Sequence, residues 1–132
     1  MNSFPVTRIT VEPDGRSTFR EDSLSLESAG TIGLLSESVP TTALVLRANP
    51  PDYHYDWHCA PRKQFILMLT GEISIAVGTG ETRTFSAGEV LFVEDTNGHG
   101  HKTWNSGGTW RLSAFVAAGD DIPFLGSESH DS

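Results

Sequence analysis

The chain has 132 residues, a hydrophobic fraction of 37% and a formal net charge of −8. Its length is enough for one folded domain with its own core. The acidic balance disfavours nucleic acids and anionic membrane surfaces as partners, because both carry negative charge. No apolar run approaches the roughly 20 residues of a membrane span, and the N-terminus lacks the pattern of a secretory signal. Cys59 is the only cysteine, so no internal disulfide can form. These features predict a cytoplasmic protein.

The predicted elements are short β-strands separated by turn signals, with no useful helical periodicity. Residues 1–40 form a mixed, polar N-terminal extension with one strand near residues 6–11 and at most a short helical turn. Residues 41–118 form the main domain, with strands predicted at 43–47, 53–58, 64–70, 73–77, 82–85, 90–95 and 109–118. This regular spacing favours a closed sandwich or barrel. The acidic tail, residues 119–132, is predicted to be flexible.

The segment YHYDWH, residues 53–58, alternates aromatic and polar side chains. On a regular strand, successive side chains point to opposite faces. This predicts that His54, Asp56 and His58 share one face. The aromatic residues then form a stripe on the other face, where they pack against another segment or form a dimer contact.

Two segments resemble the paired motifs of the cupin superfamily. They are DWHCAPRKQFILMLTG, residues 56–71, and GEVLFVEDTNGHGHKTWN, residues 88–105. The resemblance covers roughly residues 41–117. It implies an all-β, cupin-type jelly-roll β-barrel that binds a small molecule in its cavity and often pairs as a homodimer.

The resemblance also implies a site for a divalent metal, Fe, Mn, Ni or Zn. In cupins, two histidines and a glutamate of the first motif and one histidine of the second hold the ion. Asp56 and His58 match the two histidine positions, Gln64 replaces the glutamate, and His101 matches the last histidine. Asp56 and His58 would lie about 6.6 Å apart on one face, close enough to converge on an ion. Gln64 is a poorer ligand than glutamate, so a site without metal is the alternative.

Two other histidines are alternates for this site. His99 has the more usual spacing from Gly88, and only one of His99 and His101 need face the cavity. His54 lies about 13 Å from His58 along an extended strand, which places it at the rim unless the strand bends.

Further residues are expected to bind substrate. Ile66 and Met68 share parity with Gln64 and should line an apolar interior. Arg62 is placed to hold a substrate carboxylate through its guanidinium group. Trp104 lines either the cavity or the core. Asp95 is interpreted as a turn residue.

Three functions are compatible with these residues. The first is a metal-dependent oxygenase, isomerase or lyase acting on a small organic acid or phenolic metabolite, with Asp56, His58 and His101 as catalytic ligands. The second is a metal-free enzyme that transfers protons through histidine and aspartate. The third is a non-catalytic small-molecule-binding module. Metal content and sensitivity to chelator separate the first function from the second.

Overall fold

The computed structural model describes residues 2–126, which form β-strands joined by turns and loops. One 3-10 turn, Gly30–Ile32, interrupts the strands. The strands are β1 Ser3–Val11, β2 Ser17–Ser25, β3 Glu27–Ser28, β4 Leu34–Leu35, β5 Thr41–Asn49, β6 His54–His58, β7 Gln64–Thr70, β8 Glu72–Val77, β9 Thr82–Ser86, β10 Val90–Val93, β11 His101–Asn105 and β12 Arg111–Ala118. The all-β prediction is confirmed. Within residues 2–126, no helix is long and apolar enough to cross a bilayer.

The last eight strands are divided equally between two sheets. In the first sheet the order is β5-β12-β7-β10, and in the second it is β6-β11-β8-β9. This arrangement of two four-stranded layers is that of a jelly roll. The jelly-roll prediction is therefore confirmed, although the two sheets remain separate and do not close into one continuous barrel.

The N-terminal extension widens the first sheet to six strands. β1 pairs in parallel with β10 and antiparallel with β2. β2 was not predicted, because its sequence STFREDSLS carries too many charged and small polar residues to look like a strand. Residues 119–126 return along β2, where Phe124 bridges to Leu24. Residues 127–132 of the predicted flexible tail lie outside the described residues.

The larger hydrophobic core lies between the two sheets and includes Ile66, Met68 and Val93. A second, smaller core covers the outer face of the six-stranded sheet, around Phe65 and Phe92. β7 is buried on both faces because alternate side chains enter the two cores, which explains its nearly continuous apolar sequence.

Candidate active site

A bulge in β6 determines which side chains of YHYDWH enter the space between the sheets. His58 lies opposite His101 on β11, but Tyr55 lies opposite Thr103, so three steps along β6 match two along β11. Such an extra residue reverses the alternation of faces. Tyr55 and His58 consequently face the same cavity and their rings stack, with centroids 3.8 Å apart.

The predicted alternation of this segment is therefore wrong. Asp56 is exposed, and its carboxylate accepts a hydrogen bond from the backbone N–H of Trp57. Tyr55, assigned by alternation to an outward-facing stripe, lines the cavity instead. His54 is exposed and pairs with Trp104 near the end of the ladder.

The loop before β11 brings His101 beside His58. Gly100 has a φ of +77°, and a Cβ atom at this position would collide with the carbonyl oxygen of His58. Only glycine combines this conformation with so close an approach. His101 then begins β11 and is buried, whereas His99 is exposed and lies against Gly15. Of the two alternatives, His101 faces the cavity.

His101 is bonded to a fully buried carboxylate. Nδ1 of His101 lies 2.5 Å from Oδ2 of Asp95, whose side chain is 0% exposed. A carboxylate can only accept, so Nδ1 carries the proton and Nε2 is the nitrogen available for chemistry. The other oxygen of Asp95 has no hydrogen-bond partner among residues 2–126.

The tautomer of His58 is determined in a similar way. Its Nδ1 lies 2.7 Å from the backbone carbonyl of Asp56, which can only accept. Nε2 of the neutral ring is therefore a proton acceptor. Burial of the ring lowers the pKa of His58 below 6.5, and its electrostatic interactions with His101 and Arg47 act in the same direction. The His58 and His101 ring centroids are 4.6 Å apart.

These two histidines border a cavity of about 220 Å³ between the sheets. Its lining consists of Arg47, Tyr55, His58, Cys59, Ala60, Pro61, Gln64, Ile66, Val93, His101 and Phe115. Apolar walls with a few polar groups are typical of small-molecule sites. Among the described residues, no aspartate or glutamate side chain is part of this lining.

The other predicted substrate-binding residues lie outside this lining. Met68 is buried in the inner core, and Trp104 is half-buried on β11 with the Lys102 ammonium 5.9 Å from its ring. Arg62 borders a neighbouring hollow that also includes Arg47.

Sequence reasoning missed three residues of the site: Arg47, Tyr55 and Asp95. Asp95 had a usable signal, because it shares parity with the apolar residues Leu91 and Val93. No comparable signal identified the other two.

The donors around the cavity do not fit the predicted metal site. His58, Gln64 and His101 surround it, but the Asp56 carboxylate lies outside and that of Asp95 is bonded to the far side of His101. In the described part of the chain, no three His, Cys, Asp or Glu side chains are arranged to hold an ion. Two imidazoles and a neutral amide are a weak donor set for a divalent metal. Metal binding therefore stays a prediction from the resemblance.

The strand order and the cavity between the two sheets define a cupin-like jelly-roll protein. No protein-family model matches the chain, and no curated protein matches its sequence.

Solved structures with a similar fold were found. An uncharacterized conserved protein with a double-stranded β-helix domain from Klebsiella pneumoniae is 17% identical, with a TM-score of 0.47 over 95% of this chain and 85% of that one. Protein NMB1881 from Neisseria meningitidis is 12% identical, with a TM-score of 0.46 over 61% of this chain and 79% of that one.

A capsular polysaccharide assembling protein from Staphylococcus aureus is 13% identical, with a TM-score of 0.43. The match covers 89% of this chain and 32% of that longer chain. These similarities concern the fold and transfer no function.

Proposed function

We propose that this protein is a small enzyme that moves a proton to and from a carbon atom of an organic acid or phenolic metabolite, without a resident metal. The observation that carries this proposal is the buried pair of His101 and Asp95, 2.5 Å apart, beside the neutral His58. Imidazole is suited to such proton transfer near neutral pH.

In the proposed reaction, Nε2 of His101 removes a proton from a carbon next to a carbonyl or carboxyl group. The electron pair of the broken C–H bond forms an enolate, and the buried Asp95 carboxylate stabilises the imidazolium that results. Return of this proton, to the same carbon or to a conjugated one, regenerates neutral His101 and yields an epimer or isomer. No oxidant or reductant is required.

His58 and Gln64 have supporting roles in this proposal. The depressed pKa of His58 keeps it neutral, so its Nε2 accepts a proton or a substrate hydrogen bond. The buried Gln64 amide borders the same cavity and supplies N–H donors for the enolate oxygen. The apolar walls restrict water around the reacting carbon, which strengthens these interactions.

Deuterium exchange tests this function. Protein of measured metal content is incubated in D₂O with a panel of small keto acids, hydroxy acids and phenolic acids, and loss of each C–H signal is followed by proton NMR. We expect exchange at one carbon of at least one compound, and we expect it to survive chelator. His101→Gln should slow exchange by about a hundredfold or more.

His99→Gln is the matched control, because His99 is exposed outside the cavity. Its rate should equal that of the unchanged protein. Activity abolished by chelator and restored by a metal would support the metal-dependent alternative instead. Compounds that bind in the cavity without any exchange would indicate a non-catalytic binding module.

A further inference from the structure

Three of the seven arginines of this acidic protein form ion pairs with carboxylates within residues 2–126, and Arg47 does not. These ion pairs join Arg8 to Asp22 and Glu94, Arg16 to Asp14, and Arg83 to Glu21 and Glu81. Arg47 is half-buried on β5 and has no ion pair or hydrogen bond from its guanidinium group within residues 2–126. Its guanidinium carbon instead lies over the Phe115 ring, 4.5 Å from the centroid.

Arg47 lies where the cavity meets a second hollow. It borders the cavity beside His58 and His101, and it also borders a second hollow of about 200 Å³. Pro61, Gln64 and Phe115 are common to both linings. Within residues 2–126, neither lining contains an aspartate or glutamate, although the chain has 17 acidic residues against nine lysines and arginines.

A second unneutralised cation strengthens the positive potential. Arg111 is 1% exposed and, within residues 2–126, donates to the neutral side chains of Asn105 and Ser113. Burial lowers the pKa of Arg111, and the charge of Arg47 lowers it further. Arg47 also lowers the pKa of His58, so these groups share one electrostatic environment. Cations in a weakly screened interior favour an anionic ligand.

The shape of the site favours a carboxylate. A guanidinium group stacked on an aromatic ring keeps its N–H edge available, and this edge matches the two oxygens of a carboxylate. Phe115 and Ile66 then provide an apolar surface for the body of the ligand.

We propose that Arg47 is the carboxylate-binding residue of the cavity and selects a small carboxylic acid with an apolar or aromatic body. This inference rests on the proposed function, because both concern the ligand of the same cavity. The carboxylate binds Arg47 at the open side, and the rest of the molecule extends toward His101. Arg62 is exposed and borders the second hollow rather than the cavity, so it is not the primary carboxylate ligand.

Binding of matched acids and amides tests this assignment. Benzoate and 4-hydroxybenzoate are titrated into the full chain by isothermal calorimetry, alongside benzamide and 4-hydroxybenzamide. We expect each acid to bind about tenfold or more tightly than its amide, because the amide lacks the charge that Arg47 recognises. This comparison uses the unchanged protein, so it does not depend on the folding of any variant.

Variants assign the effect to a residue. Arg47→Gln should weaken acid binding by about tenfold or more. Arg47→Lys should bind the acids with an affinity between those of the unchanged protein and Arg47→Gln, because lysine keeps the charge without the two-pronged geometry. Arg16→Gln removes the same charge from an exposed turn and should bind like the unchanged protein. Circular dichroism confirms that each variant is folded.

Several outcomes would overturn the proposal. They are equal binding of acids and amides, no binding of either acid at millimolar concentration, unchanged affinity in Arg47→Gln, or a loss in Arg62→Gln alone. Repeating the titration with His101→Gln separates this inference from the proposed function. Binding that depends on Arg47, without any proton exchange in the unchanged protein, would refute only the enzyme proposal.

Discussion

The carboxylate of Asp95 lies 2.5 Å from Nδ1 of His101, and it is buried completely behind the cavity that the histidine faces. In the proposed reaction, a carboxylate in this position stabilises the imidazolium that forms when His101 takes up the substrate proton. It also holds the ring so that Nε2 is the available nitrogen. The pair is therefore the central element of the proposed chemistry.

Replacing this carboxylate should impair catalysis more than binding. Asp95→Asn removes the charge that stabilises the imidazolium, so we expect proton exchange to slow by about a hundredfold or more. Nitrogen NMR of the His101 ring should show a changed balance of tautomers. Asp120→Asn, which alters an exposed carboxylate paired with Lys63, is the control. A rate in Asp95→Asn equal to that of the unchanged protein would contradict the assigned role.

The bulge in β6 can be tested through the titration of His58. Tyr55→Ala removes the ring that stacks on His58 and exposes the imidazole, so the pKa of His58 should rise toward its ordinary value. Trp57→Ala should leave it unchanged, because Trp57 is exposed outside the cavity. Proton NMR of the imidazole signals over a pH series measures the His58 pKa in both variants. An unchanged His58 pKa in Tyr55→Ala would mean that the two rings do not share a face and that the strand has no bulge.

The same histidine predicts how stability depends on pH. The pKa of His58 is lower in the folded chain than the ordinary 6.5, so the unfolded chain binds the proton more readily. This contribution to stability is present above pH 6.5 and is lost as the pH falls through the folded pKa. The charges acting on His58 are those of His101, Asp95 and Arg47.

We therefore expect His58→Gln to lose less stability than the unchanged protein between neutrality and about pH 5. Urea unfolding at a series of pH values measures this difference. His54→Gln changes an exposed histidine and should reproduce the original pH dependence. Identical slopes for His58→Gln and the unchanged protein would count against a depressed pKa.

Gly100 provides a test of the close approach between β11 and β6. Gly100→Ala should lower the free energy of unfolding by more than the roughly 1–2 kcal/mol expected for a left-handed conformation alone, because its Cβ meets the His58 carbonyl. Gly108→Ala is a matched control with the same φ of +77° and no atom within 4 Å. If urea unfolding showed equal destabilisation by Gly100→Ala and Gly108→Ala, the backbones at Gly100 and His58 would lie further apart than described above.

The homodimer expected from the resemblance stays a prediction, and the structure suggests where to test it. β5 is an edge strand of the six-stranded sheet, and its exposed residues Leu44, Val45 and Leu46 carry no charge. Such an edge is prone to pair with an identical strand around a twofold axis. We expect a dimer at micromolar concentration by sedimentation and a monomer after Leu46→Lys. Ile32→Lys, which alters another exposed residue, should remain dimeric; a monomeric unchanged protein would disprove the pairing.

Several elements of the fold could be predicted because their signals are local. The alternation of β7 placed Ile66 and Met68 on the inner face, where both are buried. β11 was missed because Gly98 and Gly100 immediately precede it, and glycines usually indicate a loop. Here the second glycine permits a close approach that lets a strand begin at His101.

The sequence alone determined the class of fold and pointed to His58 and His101 as residues of the cavity, because strand periodicity, turn residues and motif spacing are properties of neighbouring residues. Only the tertiary structure decided which partners these histidines meet. The bulge in β6 moved Asp56 out of the cavity and Tyr55 into it. Arg47 borders the cavity from β5, and Asp95, which follows β10, bonds to the far side of His101. Register and sheet packing depend on contacts between distant strands, and no local pattern specifies them.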